Sequence, residues 1–209
     1  PLQPLQVRGF CTYTFAWGML DPDAPGTVTL DPDAPGTVTL IEQMNRIGRW
    51  LSVGCGNALV EKFLQSHNIE IKLTDPSPPH STSGIIEALS GVRAVTTYGA
   101  DCDGVVLIYP AYREPWSHLT LQHRDPPFNY VFYIGEGKGG CTGTDELHRI
   151  FRDAYELESM FPCIKWPGIC NDRAFLYKLT HPDRIKCEVC DESWYGWTCL
   201  QCNRTHCAV

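Results

Sequence analysis

The strongest constraint on the fold is an alternation that runs through most of the chain, in which short apolar runs are separated by stretches with helical spacing. Trp50 to Val53 reads as a buried strand running into Gly54-Cys55-Gly56, and a helical pattern follows from about Ala58 to Ser66. A second strand is expected over Ile69 to Leu73, ending at Thr74-Asp75. Further strands are expected over Val92 to Thr97, Val105 to Ile108, Tyr130 to Ile134 and Arg173 to Leu179. Helices are expected over Leu40 to Ile47, near Ile85 to Leu89, and over Thr144 to Met160, where Asp145 and Glu146 suit the positive end of the helix dipole. Apolar strands alternating with helices predict an α/β fold, a mostly parallel sheet covered by helices on both faces.

Composition agrees with a folded domain. Of 209 residues, 43% are hydrophobic and 20% charged, enough to bury a core. The longest uncharged apolar stretch, Val105 to Tyr112, is too short to cross a bilayer. A net charge of −7 removes the simple electrostatic case for coating a nucleic-acid duplex, which leaves room only for a local basic or aromatic site. The sequence opens at Pro1 rather than methionine and shows no charged-then-apolar pattern, so no address is legible there.

Eleven cysteines are distributed unevenly. Six are scattered and suit small buried hydrophobes, whereas Cys187, Cys190, Cys199, Cys202 and Cys207 crowd the C-terminal end. An odd total with two close C-x-x-C pairs fits metal ligation in a reducing intracellular compartment better than a disulfide framework. Cys187, Cys190, Cys199 and Cys202 can offer four thiolates to a tetrahedral Zn2+, with His206 and Cys207 as alternative ligands. Four thiolates leave no open coordination position, so the predicted zinc is structural. The expected organisation is a main domain over residues 1–180 and a zinc-ribbon-like tail over 181–209. Trp194, Tyr195 and Trp197 could stack on bases, but nearby Asp and Glu residues cancel the charge of Lys186 and Arg204. Docking to a protein partner or closing the fold suits the tail at least as well.

Residues 21–30 (DPDAPGTVTL) recur letter for letter as residues 31–40. Two copies do not make a solenoid, and the Pro/Asp/Gly content reads as a lengthened loop, which costs little closure entropy.

In open α/β sheets, ligands sit beyond the carboxyl ends of the strands. Glycine and polar residues of this chain gather at those expected ends, among them Gly54, Gly56, Asp75 and the stretch Gly135-Glu136-Gly137. Gly54 and Gly56 permit a sharp turn and a close backbone approach, and Asp75 stands where a carboxylate can take a ribose diol. On these residues the sequence resembles class I S-adenosylmethionine-dependent methyltransferases, which are Rossmann-like. It is similar in particular to a poorly characterised methyltransferase-like group. That group carries a Y-x-x-A-W stretch, here Tyr13-Thr14-Phe15-Ala16-Trp17, and G-E-G-x-G-G-C-T-G, here residues 135–143. The resemblance spans roughly residues 8–180. It implies S-adenosylmethionine binding through Tyr13, Gly54, Gly56 and Asp75, with Asp101, expected after the third strand, near the adenine. Two positions depart from the family pattern: Ser52 replaces an Asp or Glu, and Ala58 the third glycine.

Methyl transfer from a sulfonium relies on alignment and desolvation, so catalytic residues leave little trace in a sequence. Tyr109-Pro110-Ala111-Tyr112 stands where amino-group methyltransferases carry [D/N]-P-P-[Y/F], and Tyr112 keeps the aromatic that would frame an acceptor. Glu136 is a candidate general base or a residue capping its own loop. Cys141 has no identifiable paired histidine, His148 reads as a surface residue, and the loop does not match a P-loop. Two functions follow: a methyltransferase of unnamed acceptor, or a catalytically idle methyltransferase-like subunit of a larger protein or ribonucleoprotein assembly.

Overall fold

The computed structural model describes residues 35–82, 84–112, 114–162 and 173–185. In chain order these form α1 (Pro35–Ile47), β1 (Trp50–Val53), α2 (Leu59–Ser66), β2 (Ile71–Asp75), β3 (Glu87–Ala88), α3 (Gly91–Tyr98), β4 (Gly104–Ile108), α4 (Trp116–Gln122), β5 (Tyr130–Gly135), α5 (Asp145–Ala154), β6 (Tyr155–Pro162) and β7 (Arg173–Leu179), with short 3-10 turns between some of them. The strands join in one sheet of order β3-β2-β1-β4-β5-β7-β6. The first five pair in parallel, and β7 runs antiparallel to both β5 and β6. The 3-2-1-4-5 half is the Rossmann order, with its switch point between β1 and β4. The sheet is therefore mixed, with a Rossmann-like parallel part.

Alternating strand residues feed two cores. Trp50, Leu73, Val106, Phe132 and Leu176 pack with Leu40 and Met44 of α1 and Leu64 of α2 on one face. Leu51, Val53, Val105, Leu107, Val131 and Tyr133 pack with residues of α3, α4 and α5 on the other. Both faces are covered, as the continuously apolar strands predicted. The closest fit within β1 and β4 lies between Trp50 and Gly104, neighbours in register. A Cβ on Gly104 would fall 2.9 Å or less from three atoms of the Trp50 ring. The buried indole also donates its Nε1–H to the Met44 carbonyl at 3.1 Å, which ties α1 to β1.

Several expectations need correction. Val92 to Thr97 lies inside helix α3 rather than forming a strand, although Val and Thr favour strands. The buried residues Gly91, Ala94 and Val95 have helical spacing, and packing overrides the propensity. Gly91 lets α3 approach α4, since a Cβ there would meet Thr120 Oγ1 at 2.6 Å. The third strand is instead Glu87–Ala88, inside the expected helix near Ile85 to Leu89. The helix expected through Met160 ends at Ala154, where its buried spacing of Leu147, Ile150, Phe151 and Ala154 stops. Tyr155–Pro162 then pairs with β7. Helix α4 had no counterpart among the expected elements. The second repeat copy is not wholly loop, because Pro35 to Leu40 opens α1. Proline suits that first position, where its missing N–H leaves no bond unmade.

Gly104→Ala is expected to destabilise the protein by about 1–3 kcal/mol, because the Trp50 ring cannot yield without overpacking the core. Gly137→Ala is the control: a Cβ there meets nothing within 4 Å. Urea unfolding should separate the two variants; equal midpoints would refute the Trp50–Gly104 constraint.

Candidate functional site

The switch point places two loops side by side, one after β1 and one after β4. After Val53 the chain turns through three left-handed residues, Gly54 (φ 68°), Gly56 (φ 54°) and Ala58 (φ 55°). The glycines adopt this freely, whereas Ala58 costs about 1–2 kcal/mol. Three bonds hold the turn to β2. Cys55 N–H donates to the Thr74 carbonyl at 3.1 Å, and Thr74 Oγ1 donates to the Ser52 carbonyl at 2.7 Å. The third is from Gly56 N–H to Asp75 Oδ2 at 2.8 Å. Asp75 Oδ1 accepts from Ser77 N–H at 2.8 Å, so the carboxylate is fixed from both sides and keeps lone pairs for a ligand. Space lies open over Gly56, where an added Cβ would meet nothing within 4 Å. Gly54 is covered instead, with the Trp116 ring 3.0 Å from where its Cβ would sit.

Beneath the turn lies a buried acid. Glu61, in the first turn of α2, is 2% exposed and accepts a hydrogen bond from Ser52 Oγ at 2.7 Å. Burial raises its pKa to about 7, with the charge of Asp75 adding to the shift and the Ser52 hydroxyl opposing it. The neighbouring Cys55 thiol is pushed far up by burial and by the charges of Glu61 and Asp75. It therefore stays protonated and is a poor nucleophile.

The second loop is braced. Tyr109 takes a left-handed conformation (φ 46°) at the end of β4 while its N–H donates to the Ile134 carbonyl at 2.8 Å. Pro110 accepts from Gly143 N–H at 2.7 Å, and Ala111 bridges to Thr142. The glycine-rich stretch after β5 closes on Thr142, whose Oγ1 accepts from Glu136 N–H at 2.7 Å and bonds the Tyr133 hydroxyl at 2.8 Å. Glu136 itself takes the Cys141 N–H on its carboxylate, which makes it a cap of its own loop. His148 Nε2 donates to the Thr142 carbonyl at 2.9 Å. Cys141 is exposed, and Tyr112 is 43% exposed on the turn after β4.

Gly54, Gly56 and Asp75 thus come together, and Tyr112 and Glu136 lie at the same end of the sheet. Asp101 does not join them. It is exposed in the turn that precedes β4, at the amino end of the sheet, because the segment before it is helix α3. The five residues of β4 put about 16 Å between that end and the site. The chain that follows the true third strand is Leu89-Ser90, and Leu89 N–H donates to the Asp75 carbonyl at 3.1 Å. Tyr13 and the expected zinc ligands Cys187, Cys190, Cys199 and Cys202 lie outside the described residues. Among the described residues no group of three or more His, Cys, Asp or Glu could hold a metal, and no helix is long and apolar enough to cross a membrane. A cleft of about 210 Å³ beside Gln122, Arg124 and Asp125 opens at the amino end of β5, away from this chemistry.

Trp116 and Glu61 were not foreseen from the sequence. Helix α4 carries Trp116, and missing the helix hid the residue. Glu61 is visible as an acid in a first helical turn, but its bond to Ser52 crosses two elements.

No family model matches the chain, and no curated protein matches it. Among solved structures, the chain is similar to the Burkholderia thailandensis 1,6-didemethyltoxoflavin-N1-methyltransferase, with 12% identity, 86% of this chain and 92% of that chain covered, and a TM-score of 0.49. The N-methyltransferase NodS from Bradyrhizobium japonicum WM9 matches at 12% identity over 72% of this chain and 100% of that chain, with a TM-score of 0.45. An NADB-Rossmann superfamily protein from Streptococcus agalactiae matches at 11% identity over 68% of each chain, with a TM-score of 0.43. Likenesses this distant carry no weight for function, and the fold assignment rests on strand order and connections.

The raised acid gives a pH signature. Because the folded-state pKa of Glu61 lies at about 7, above its ordinary 4.5, its protonated form supports the fold fully below about 4.5. That support declines as pH rises through the window from 4.5 to 7. Glu61→Gln should match wild type near about pH 4 and exceed it in stability near about pH 8. Denaturant unfolding at the two pH values decides; an equal offset at both would contradict a buried, titrating Glu61.

Proposed function

We propose that the chain binds S-adenosylmethionine beyond the carboxyl ends of β1 and β2 and acts as a methyltransferase on an acceptor of unnamed class. The observation that carries this reading is the Asp75 carboxylate, aligned by the Gly56 and Ser77 amides beside an open glycine turn. Asp75 would take the ribose hydroxyls, and the bare backbone at Gly56 would let the cofactor approach closely. Tyr13 is a further proposed contact, carried by the resemblance of its motif. When bound, the cofactor supplies an electrophilic methyl group. The chain's part is to orient it and exclude water, with Tyr112 flanking an acceptor. Trp116 covers the Gly54 side of the turn and would limit solvent there.

A second reading, an idle structural subunit, is favoured by one observation. The Pro110 carbonyl, which would help hold an acceptor nitrogen, is already bonded to Gly143 N–H, and Tyr109 offers no carboxylate or amide beside it. In either reading we propose one structural Zn2+ on Cys187, Cys190, Cys199 and Cys202, with the tail docking a protein partner in a reducing intracellular compartment. Thiol spacing alone supports the metal.

Calorimetry is expected to return micromolar or tighter S-adenosylmethionine binding, weakened at least about tenfold, or about 1.4 kcal/mol, in Asp75→Ala. Equal binding by the variant would remove the assigned site. Metal analysis should give close to one zinc per chain, lost when Cys187 and Cys199 are both changed to Ser. A well-folded, metal-free wild type would end the zinc proposal.

A further inference from the structure

Glu61 is a buried acid that the binding scheme above does not use. Only 2% of it is exposed, and its position is set by the Ser52 hydroxyl, which donates to Oε1 at 2.7 Å from the strand leading into the glycine turn. The groups that face it are Ser52 on β1, Cys55 in the turn, Asp75 at the end of β2, and Lys62 beside it on α2. Cys55 carries no charge, and the negative charge of Asp75 outweighs the weaker opposing pull of the Lys62 ammonium. A buried carboxylate in such surroundings is an expense to the fold unless a cation arrives to share its field. The turn lying over it is the proposed seat of a ligand with a positively charged sulfur.

We propose that Glu61 is a positioning residue of the glycine turn, which, held by Ser52, makes the site favour the cationic sulfonium cofactor over its neutral thioether product. The inference rests on the cofactor reading given above and adds to it a means of telling substrate from product. In the empty site the Glu61 carboxyl holds its proton below neutrality. Seating of the sulfonium favours the carboxylate, and the proton leaves to solvent. Once the methyl group has gone to the acceptor, the remaining thioether is neutral. The carboxylate then loses its counter-charge and takes a proton back from solvent. Product binding is thereby weakened relative to substrate wherever Glu61 is ionised.

The test is calorimetry of S-adenosylmethionine and S-adenosylhomocysteine on the full chain across the range from about pH 5.5 to about pH 8.5, in two buffers of different ionisation enthalpy. Affinity for S-adenosylmethionine should rise with pH by up to about tenfold per unit below neutrality and level off above it, with proton release in the rising range. S-adenosylhomocysteine should show a nearly flat profile. Glu61→Gln should flatten the first profile and bring the two ligands together, while Ser52→Ala, which removes the bond that favours the carboxylate, should move the rise to higher pH. Parallel profiles for the two ligands in the wild type overturn the proposal without recourse to any variant, as does a Glu61→Gln protein that retains the wild-type profile. Failure of the wild type to bind either ligand at millimolar concentration would instead overturn the cofactor reading, and this proposal with it.

Discussion

The hydrogen bond from the Gly56 amide to Asp75 joins two features that sequence keeps 19 residues apart, the turn after the first strand and the end of the second. A glycine turn alone is a flexible joint. Bonded to a carboxylate that is itself held by Ser77, and anchored through Cys55 and Thr74, it becomes a rigid lip on the sheet. Such rigidity requires β1 and β2 to be neighbours in parallel register, with Trp50 opposite Ile71 and Val53 opposite Thr74. That register in turn depends on both faces being buried, because a slip of one residue would carry Ser52 and Trp50 to the wrong core.

A second brace completes the site from the other side of the switch point. Thr142 gathers the Glu136 amide, the Tyr133 hydroxyl and the His148 ring, and its neighbour Gly143 reaches the Pro110 carbonyl. The loops after β4 and β5 therefore behave as one unit, stapled to the N-terminal end of α5, where Thr144 accepts the Leu147 amide. Polar groups that would be orphaned at these strand ends are satisfied by one another, which is what permits a glycine-rich stretch to hold one shape. Glu136 serves that shape through the Cys141 amide.

How much of this was legible varied with the range of the interaction. The strands Trp50–Val53, Gly104–Ile108, Tyr130–Gly135 and Arg173–Leu179 lie within two residues of where their apolar runs put them. Each is continuous and bounded by turn residues, so a local signal sufficed. Val92 to Thr97 misled because its β-branched residues favour a strand locally, whereas the pairing of Gly91 with Thr120 makes a helix the better packed choice. Asp101 followed that error to the wrong end of the sheet. Gly54, Gly56 and Asp75 were legible because a glycine turn and an acid at the next strand end each leave a one-residue mark. Glu61 was not, since its meaning lies in a bond to a serine on another element.

By itself, the sequence determined the alternation of strands and helices, the glycine turn and the acid that faces it, because each depends on residues close together in the chain. Only the tertiary structure decided which short segment became the third strand and which end of the sheet Asp101 occupies. It also decided that a serine on β1 would donate a hydrogen bond to a buried acid on α2 beneath the turn. The physical reason is that burial is a property of the assembled layers. A carboxylate acquires a raised pKa, and a β-branched run becomes a helix, only when neighbours distant in sequence have excluded the water around them.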